Sequence, residues 1–120
     1  MARLGQLMLQ KGEWGGKQII SEEWIRKSTT VVTPVEKMNP AALRQGEFGY
    51  AYMWWVWNDQ DNKLGVFEGA YTARGAYGQF ITVIPKLGIV VAHKTKPNKG
   101  RTTWTTYRQI LAKIEAAKKS

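Results

Sequence analysis

The apolar positions in the first part of the chain follow a helical period, which predicts a helix over residues 1–11. The stripe consists of Leu4, Leu7 and Met8. No Ser, Thr, Asp or Asn precedes it to cap the first turn. A second short helix is predicted over residues 22–28, because Ser21 suits the N-cap position and two glutamates follow it.

The middle of the chain changes from helical period to the alternation typical of strands. Residues 29–47 have no period and contain two prolines, so they predict a long surface loop. Residues 50–57 are apolar on both faces, which predicts one strand that is buried on both sides or lines a cleft. A polar turn over 58–62 and a weak strand near 64–67 follow.

The strongest strand signals lie at residues 77–84 and 88–94, which we expect to pair across Pro85–Leu87. Glycines at 69, 75 and 78 precede or open this hairpin and allow another group to approach the backbone closely. A last helix runs to about residue 118, capped by Thr102 or Thr103. The order of elements predicts a single α+β domain over residues 1–120, with an antiparallel sheet of three to four strands and flanking helices packed on one face.

Composition excludes several classes of protein. The chain has no cysteine, which rules out disulfides and thiol catalysis, and no apolar run of the ~20 residues that a membrane span needs. Its start lacks the apolar core of a secretory signal, so we expect a cytoplasmic protein as expressed, with the natural compartment unknown. The net charge of +9 includes a basic cluster after the second strand of the predicted hairpin, formed by Lys94, Lys96, Lys99 and Arg101, and lysines near the carboxyl end, while the rest is scattered. No nucleic-acid-binding motif accompanies it, so nucleic acid is not favoured as a partner.

Few side chains suit catalysis. His93 is the only histidine and follows a β-branched run, which favours a structural role, and no metal or cofactor site is predicted. The three serines lie on no nucleophile elbow: Ser21 suits a helix cap, Ser28 a helix end, and Ser120 is the last residue. Glu47 and Glu68 are conceivable as a carboxylate pair, although nothing in their spacing favours this over two surface acids.

Arg74 is the charged residue best placed to hold an anion, because it lies between two glycine-bearing turns. With six tryptophans in the chain, Trp54 and Trp55 are candidates to line a cleft beside it. One hypothesis is therefore a basic, aromatic-rich module that binds an anionic polymer or peptide.

Three segments resemble the carboxyl-terminal third of the serine β-lactamase/penicillin-binding-protein-like family. That family includes class C β-lactamases, D-alanyl-D-alanine carboxypeptidases, related esterases and 6-aminohexanoate-dimer hydrolases. Residues 1–25 are similar to the helix, glycine turn and Ser-Glu-Glu-Trp helix of the family, residues 48–56 to its aromatic strand, and residues 73–85 to the strand that carries its third active-site motif. The resemblance implies a partial β-lactamase/transpeptidase-like fold and hydrolysis of small amides or esters by the complete domain.

The third motif of this family is Lys-Thr-Gly, His-Thr-Gly or Trp-Gly-Gly. The best register places it on Ala73, Arg74 and Gly75, and a register three residues earlier, on residues 70–72, stays open. The resemblance implies that a backbone amide of this strand completes an oxyanion hole, with Gly75, Gly78 and Gln79 as further candidate positions.

The other catalytic motifs of the family are absent from these 120 residues. No Ser-x-x-Lys and no Tyr-x-Asn or Tyr-x-Ser occurs, so the chain carries neither nucleophile nor base. We therefore expect a truncated hydrolase that is inactive alone. A part of a larger fold exposes sheet edges and helix faces, which predicts a homo-oligomer, formed through residues 50–57 or the face of the first helix.

Overall fold

The computed structural model describes residues 1–59, 61 and 63–119. These residues form three α-helices and seven strands, together with short 3-10 turns. The elements are α1 (Ala2–Leu9), β1 (Glu13–Trp14), β2 (Lys17–Gln18), α2 (Glu22–Thr29), β3 (Phe48–Tyr50), β4 (Trp55–Trp57), β5 (Tyr71–Gly75), β6 (Gln79–Ile84), β7 (Ile89–His93) and α3 (Trp104–Lys119). The predicted α+β class is confirmed.

The helix boundaries agree with the sequence signals. Ser21 caps α2, since its Oγ accepts a hydrogen bond of 3.1 Å from the N–H of Trp24. Met1 precedes α1 without a side-chain cap. Of the two candidate threonines before α3, Thr103 is the cap, because its Oγ1 accepts the N–H of Thr106 at 3.2 Å. None of the described helices is long and apolar enough to cross a membrane.

The main sheet has five antiparallel strands in the order β3-β4-β5-β6-β7, one more than the upper end of the predicted range. Residues 50–57, predicted as one strand, form the hairpin β3–β4, and β5 lies outside every strand that the sequence predicted. The chain reverses around Met53, whose φ is +67°, and the N–H of Ala51 donates to the carbonyl oxygen of Trp54 at 2.9 Å. A left-handed turn at methionine has no sequence signal, because glycine or asparagine usually occupies such positions.

The weak strand predicted near 64–67 is also wrong. The segment Gly65–Phe67 is a 3-10 turn, and it buries Phe67 in a stack on Trp57 with ring centroids 4.9 Å apart. The polar turn predicted over 58–62 lies partly outside the described residues, which lack 60 and 62.

Helices cover both faces of the sheet rather than one. On the first face α3 inserts Tyr107 and Leu111 into a cluster that includes Phe48, Trp57 and Phe80. On the opposite face α1 and α2 contribute Met8 and Ile25 to a cluster that contains Trp54, Val56, Tyr71 and Val83. The central strands are therefore buried on both sides, which explains why they are apolar in both phases of the alternation.

The long segment before β3 is a surface connection with two 3-10 turns, Val35–Lys37 and Ala41–Gln45. It is held to the sheet at Thr33, which bridges to Tyr50, and at Val35, whose N–H donates to Oδ1 of Asn58 at 2.9 Å. The second turn brings Leu43 to the end of β5, where the candidate site lies.

Candidate functional site

The hairpin of β5 and β6 forms the centre of the candidate site. Gly75 pairs with Gln79 and closes the hairpin, and the turn between them has left-handed φ angles at Tyr77 (+60°) and Gly78 (+81°). A Cβ at position 78 would lie 2.2 Å from the carbonyl oxygen of Thr102, so the turn packs directly on the segment that leads into α3. His93 fixes the same turn, because its Nδ1 lies 3.1 Å from the Gly78 carbonyl oxygen and donates to it.

One edge of β5 is unpaired over its last three residues. Pairing with β4 ends where Thr72 meets Trp55, whereas pairing with β6 continues from Tyr71 to Gly75. The N–H groups of successive strand residues point to opposite edges. Either Ala73 or Arg74 therefore directs its N–H toward the side that β4 leaves open.

The side chain of Arg74 lies in an aromatic cradle. Its guanidinium carbon is 4.8 Å from the ring centroid of Trp55, 5.2 Å from that of Trp104 and 5.9 Å from that of Phe48. The face of an aromatic ring attracts a positively charged group such as this guanidinium. Arg74 as a whole is exposed, but its guanidinium group packs against these aromatic rings.

A second cation, Arg101, lies close enough to affect Arg74. Burial lowers the pKa of the Arg74 guanidinium, and the positive charge of Arg101 lowers it further. Among the described residues neither forms an ion pair with a carboxylate, so the two positive charges are not neutralised by a neighbouring acid.

These residues line a groove with two adjoining lobes, which we call the aromatic groove. Trp55, Arg74, Trp104 and Leu43 border both lobes. The first lobe, of about 590 Å³, also contains Glu47 and Asp59. The second lobe, of about 580 Å³, also contains Gly75, Gly78 and Arg101. The size of each lobe is sufficient for part of a small ligand.

The structure brings most of the predicted residues together. Arg74, Gly75, Gly78 and Trp55 border the aromatic groove, while Gln79 lies beside it as the strand partner of Gly75.

Trp54 and Ala73 belong to the other face of the sheet. Trp54 is 8% exposed and packs against Tyr71, with 5.0 Å between ring centroids, under α1 and α2. A smaller cavity on that side contains Trp54, Ala73 and part of Arg74.

The described serines and glutamates that were considered for catalysis each interact with another group, and Glu47 also borders the first lobe. Ser21 caps α2, and Ser28 is buried with its Oγ donating to the carbonyl oxygen of Ile25 at 3.0 Å. Ser120 lies outside the described residues.

Glu68 pairs with Lys86, whose hydrogen bond and charge lower the pKa of the Glu68 carboxyl. Glu47 pairs with Arg108 at 3.1 Å, so the two glutamates belong to separate ion pairs. Within the described parts of the chain, no three metal-ligating side chains come together.

The sequence did not point to several residues of the groove, among them Leu43, Asp59, Arg101 and Trp104. Leu43 and Asp59 come from loops without period, and Trp104 lies in the first turn of α3, where an apolar residue carries no functional signal. Only Arg101 had a signal, since it lies in the basic cluster after β7. Its proximity to Arg74 depends on the packing of residue 78 against residue 102, which no local pattern reveals.

Comparison with known proteins agrees with this architecture. No protein-family model matches the chain, and no curated protein matches it significantly. Solved structures do match, and they show that the chain has the α+β fold of part of a β-lactamase-like hydrolase.

The match in question is described as "Putative 6-aminohexanoate-dimer hydrolase from Bacillus anthracis". It superimposes with a TM-score of 0.67 and 26% sequence identity over 94% of the present chain. The present chain spans only 26% of the length of that hydrolase.

Proposed function

We propose that this chain is the third-motif portion of a β-lactamase-like serine hydrolase and that it catalyses no hydrolysis by itself. The observation that carries the proposal is the structural match over 94% of the chain, which covers about a quarter of a hydrolase. The chemistry needs a nucleophile and a base that these 120 residues do not contain.

The role proposed for β5 is to stabilise an oxyanion through its backbone. The unpaired edge at residues 73–75 supports this role, because one amide there points away from β6 and lacks a strand partner in the described structure. A backbone donor at this place requires no particular side chain, which accounts for the departure of Ala73 and Arg74 from the usual third motif.

The burial of neighbouring residues favours the register on Ala73, Arg74 and Gly75. The alternative register, on residues 70–72, would use three residues that are buried in the two cores. These three residues are buried and do not border the groove, whereas Arg74 and Gly75 do border the groove.

The proposal is tested by incubating the purified chain with nitrocefin and with p-nitrophenyl acetate. We expect no turnover above the buffer rate. Turnover that persists after alanine replacement of Ser21, Ser28 and Ser120 would contradict a serine-hydrolase origin of the activity.

A chimera gives the positive test. The matched quarter of the Bacillus anthracis hydrolase is replaced by this chain, and hydrolysis of the substrate of that enzyme is measured. We expect a folded chimera to retain turnover, and Ser21→Ala in the inserted part to leave the rate unchanged. A chimera with native circular dichroism but no turnover would count against the proposed role of β5.

A second candidate function is a module that binds an anionic polymer or peptide. The arginine pair in the aromatic groove favours it, because Arg74 and Arg101 have no carboxylate partner among the described residues. Binding to poly-glutamate or single-stranded DNA must then weaken steeply as salt is raised. Salt-independent or undetectable binding would remove this candidate.

A further inference from the structure

Met53, at the tip of the β3–β4 hairpin, is the most exposed large apolar side chain of the described residues. Its exposed fraction is 78%, whereas Met8 and Met38 are each 5% exposed. A peroxide must touch the sulfur to oxidise a methionine. The sulfur of Met53 is therefore open to such a reagent, while the two buried sulfurs are reached only when the protein opens.

The turn itself does not explain a methionine at position 53. Its φ of +67° suits glycine or asparagine and costs other residues about 1–2 kcal/mol. Burial does not offset this cost, because most of the side chain faces solvent. A strained residue whose side chain stays exposed is a candidate for a role that depends on that side chain.

The hydroxyl of Tyr50 lies beside the sulfur of Met53. It donates a hydrogen bond to the Sδ atom over 3.9 Å, and a thioether is only a weak acceptor. Oxidation of the sulfur produces a polar, chiral sulfoxide. Because the sulfoxide oxygen carries more negative charge than a thioether sulfur, it accepts a stronger hydrogen bond from the same hydroxyl.

Tyr50 also connects the turn with the aromatic groove. Its ring packs edge-on against Trp55, with ring centroids 5.0 Å apart. The ring of Trp55 in turn lies 4.8 Å from the guanidinium carbon of Arg74. A hydrogen bond that displaces the Tyr50 ring therefore acts on the ring that holds Arg74.

We propose that Met53 is a site of reversible oxidation by hydrogen peroxide or a related hydroperoxide, and that its sulfoxide alters the aromatic groove through Tyr50. A lone pair of the sulfur attacks one peroxide oxygen, the O–O bond breaks, and the departing hydroxide takes the proton of the transferred oxygen and leaves as water. The sulfur is oxidised and the peroxide is reduced. A sulfoxide reductase with a thiol as electron donor restores the thioether.

The first experiment follows the oxidation of each methionine in the complete chain by mass spectrometry. Trypsin places the four methionines in separate peptides, and N-acetylmethionine amide serves as the reference for a fully accessible thioether. With hydrogen peroxide at neutral pH, we expect Met53 to react within about threefold of the reference, and Met8 and Met38 at least about tenfold more slowly. The two epimer-specific methionine sulfoxide reductases, supplied with a dithiol, should return the peptide of Met53 to its original mass.

The second experiment measures the effect on the groove in ¹H–¹⁵N spectra before and after oxidation. In the unaltered chain we expect the indole signal of Trp55 and the Nε signal of Arg74 to shift. In Tyr50→Phe, residue 53 should still be oxidised, but these shifts should be lost. Met53→Leu should remove both the mass change and the shifts, whereas the matched control Met38→Leu, at a buried position, should keep both.

Three results would overturn the inference. The first is oxidation of Met53 no faster than that of Met8 and Met38, and the second is a sulfoxide that both reductases leave in place. The third is an equal shift of the groove signals in Tyr50→Phe and in the unaltered chain. None of these results affects the expectation that the chain does not hydrolyse nitrocefin, because the modification does not depend on a hydrolase origin.

Discussion

At the scale of single residues, Gly78 connects the hairpin to α3. It combines a left-handed φ of +81° with a position where a Cβ would lie 2.2 Å from a backbone oxygen of Thr102. Gly88 has a similar φ of +62°, but nothing lies within 4 Å of its added Cβ. An alanine at position 88 would therefore cause backbone strain alone, whereas an alanine at position 78 would cause both strain and a steric clash.

We predict that Gly88→Ala lowers the free energy of unfolding by about 1 kcal/mol, the cost of a left-handed alanine. Gly78→Ala should lower it by at least about 2 kcal/mol, because strain and displacement of residue 102 add together. Urea titrations of the two variants measure the difference. Equal effects would contradict the close packing of the turn on the segment before α3.

The hydroxyl of Tyr107 ends a buried polar chain in an otherwise apolar core. Thr72 and Thr82 are 2.8 Å apart at their Oγ1 atoms, and Oγ1 of Thr82 is 2.7 Å from the Tyr107 hydroxyl oxygen. Burial raises the pKa of Tyr107 to about 12, an effect that the hydrogen bond with Thr82 partly offsets. The neutral phenol is thus stabilised in the folded state.

This pKa predicts a loss of stability in alkaline solution. Tyrosine in the unfolded chain titrates near pH ~10, so the unfolded state loses its proton first as the pH rises. The stabilisation is complete below that pH, and about 2 kcal/mol of it is lost by the time the folded pKa is reached.

Tyr107→Phe tests the assignment. It should cost about 1 kcal/mol at neutral pH, because Thr82 loses a partner, and it should flatten the alkaline decline. The exposed Tyr77, replaced by phenylalanine, is the control. An unchanged alkaline slope in Tyr107→Phe would show that other groups cause the decline.

At the scale of elements, α1 packs closely on the sheet at Gly5. A Cβ there would lie 2.4 Å from Cγ1 of Val90 on β7. Valine is stiff at χ1, so it cannot move aside cheaply. The position explains why a glycine is kept inside a helix, where it is otherwise unfavourable by up to about 1 kcal/mol.

We predict that the cost of Gly5→Ala depends on the residue at position 90. In the unaltered chain the change should destabilise by about 1–2 kcal/mol through overpacking. In Val90→Ala the contact with Cγ1 is gone and only Cγ2 of Ile81, at 3.0 Å, stays close, so the gain in helix propensity should offset much of that cost. Thermal or urea unfolding of the unaltered chain, the two single variants and the double variant gives a double-mutant cycle. Additive changes in the free energy of unfolding would contradict a contact between residues 5 and 90.

The elements differ in how far the sequence predicted them. The helix stripes, the cap at Ser21 and the hairpin across Pro85–Leu87 were predicted correctly, because their signals are local. The hairpin of β3 and β4 was missed because its turn uses Met53 in a left-handed conformation. Packing around Trp54 and Trp57 on opposite faces stabilises that turn, and such packing has no local signature.

At the scale of the whole molecule, apolar side chains remain exposed on the face of α1 and the small β1–β2 hairpin. Leu4, Trp14 and Ile19 border a shallow depression there. The main sheet also ends in β7, which pairs with no further strand in the described structure. Self-association through the helix face or the sheet edge therefore stays a prediction.

We expect light scattering at micromolar concentration to give a mass above that of one chain. Association should strengthen as salt is raised beyond ~0.15 M, because screening weakens the repulsion between chains with a net charge of +9. Leu4→Lys should reduce the mass if the helix face is used, while Thr105→Lys, an exposed position on α3, should not. A monomeric mass at all salt concentrations would contradict the prediction.

The sequence by itself determined the α+β class, the extent of the helices and the β6–β7 hairpin, and it singled out Arg74 as a candidate residue. These depend on periodicity, caps and turn residues, which act over a few positions. Only the tertiary structure decided that Trp55 and Trp104 enclose Arg74, that Trp54 lies on the opposite face, and that Arg101 and Asp59 lie in different lobes of one groove. The reason is physical: these neighbours are set by strand register and by the packing of α3 on the sheet, and contacts between distant segments leave no pattern within either segment.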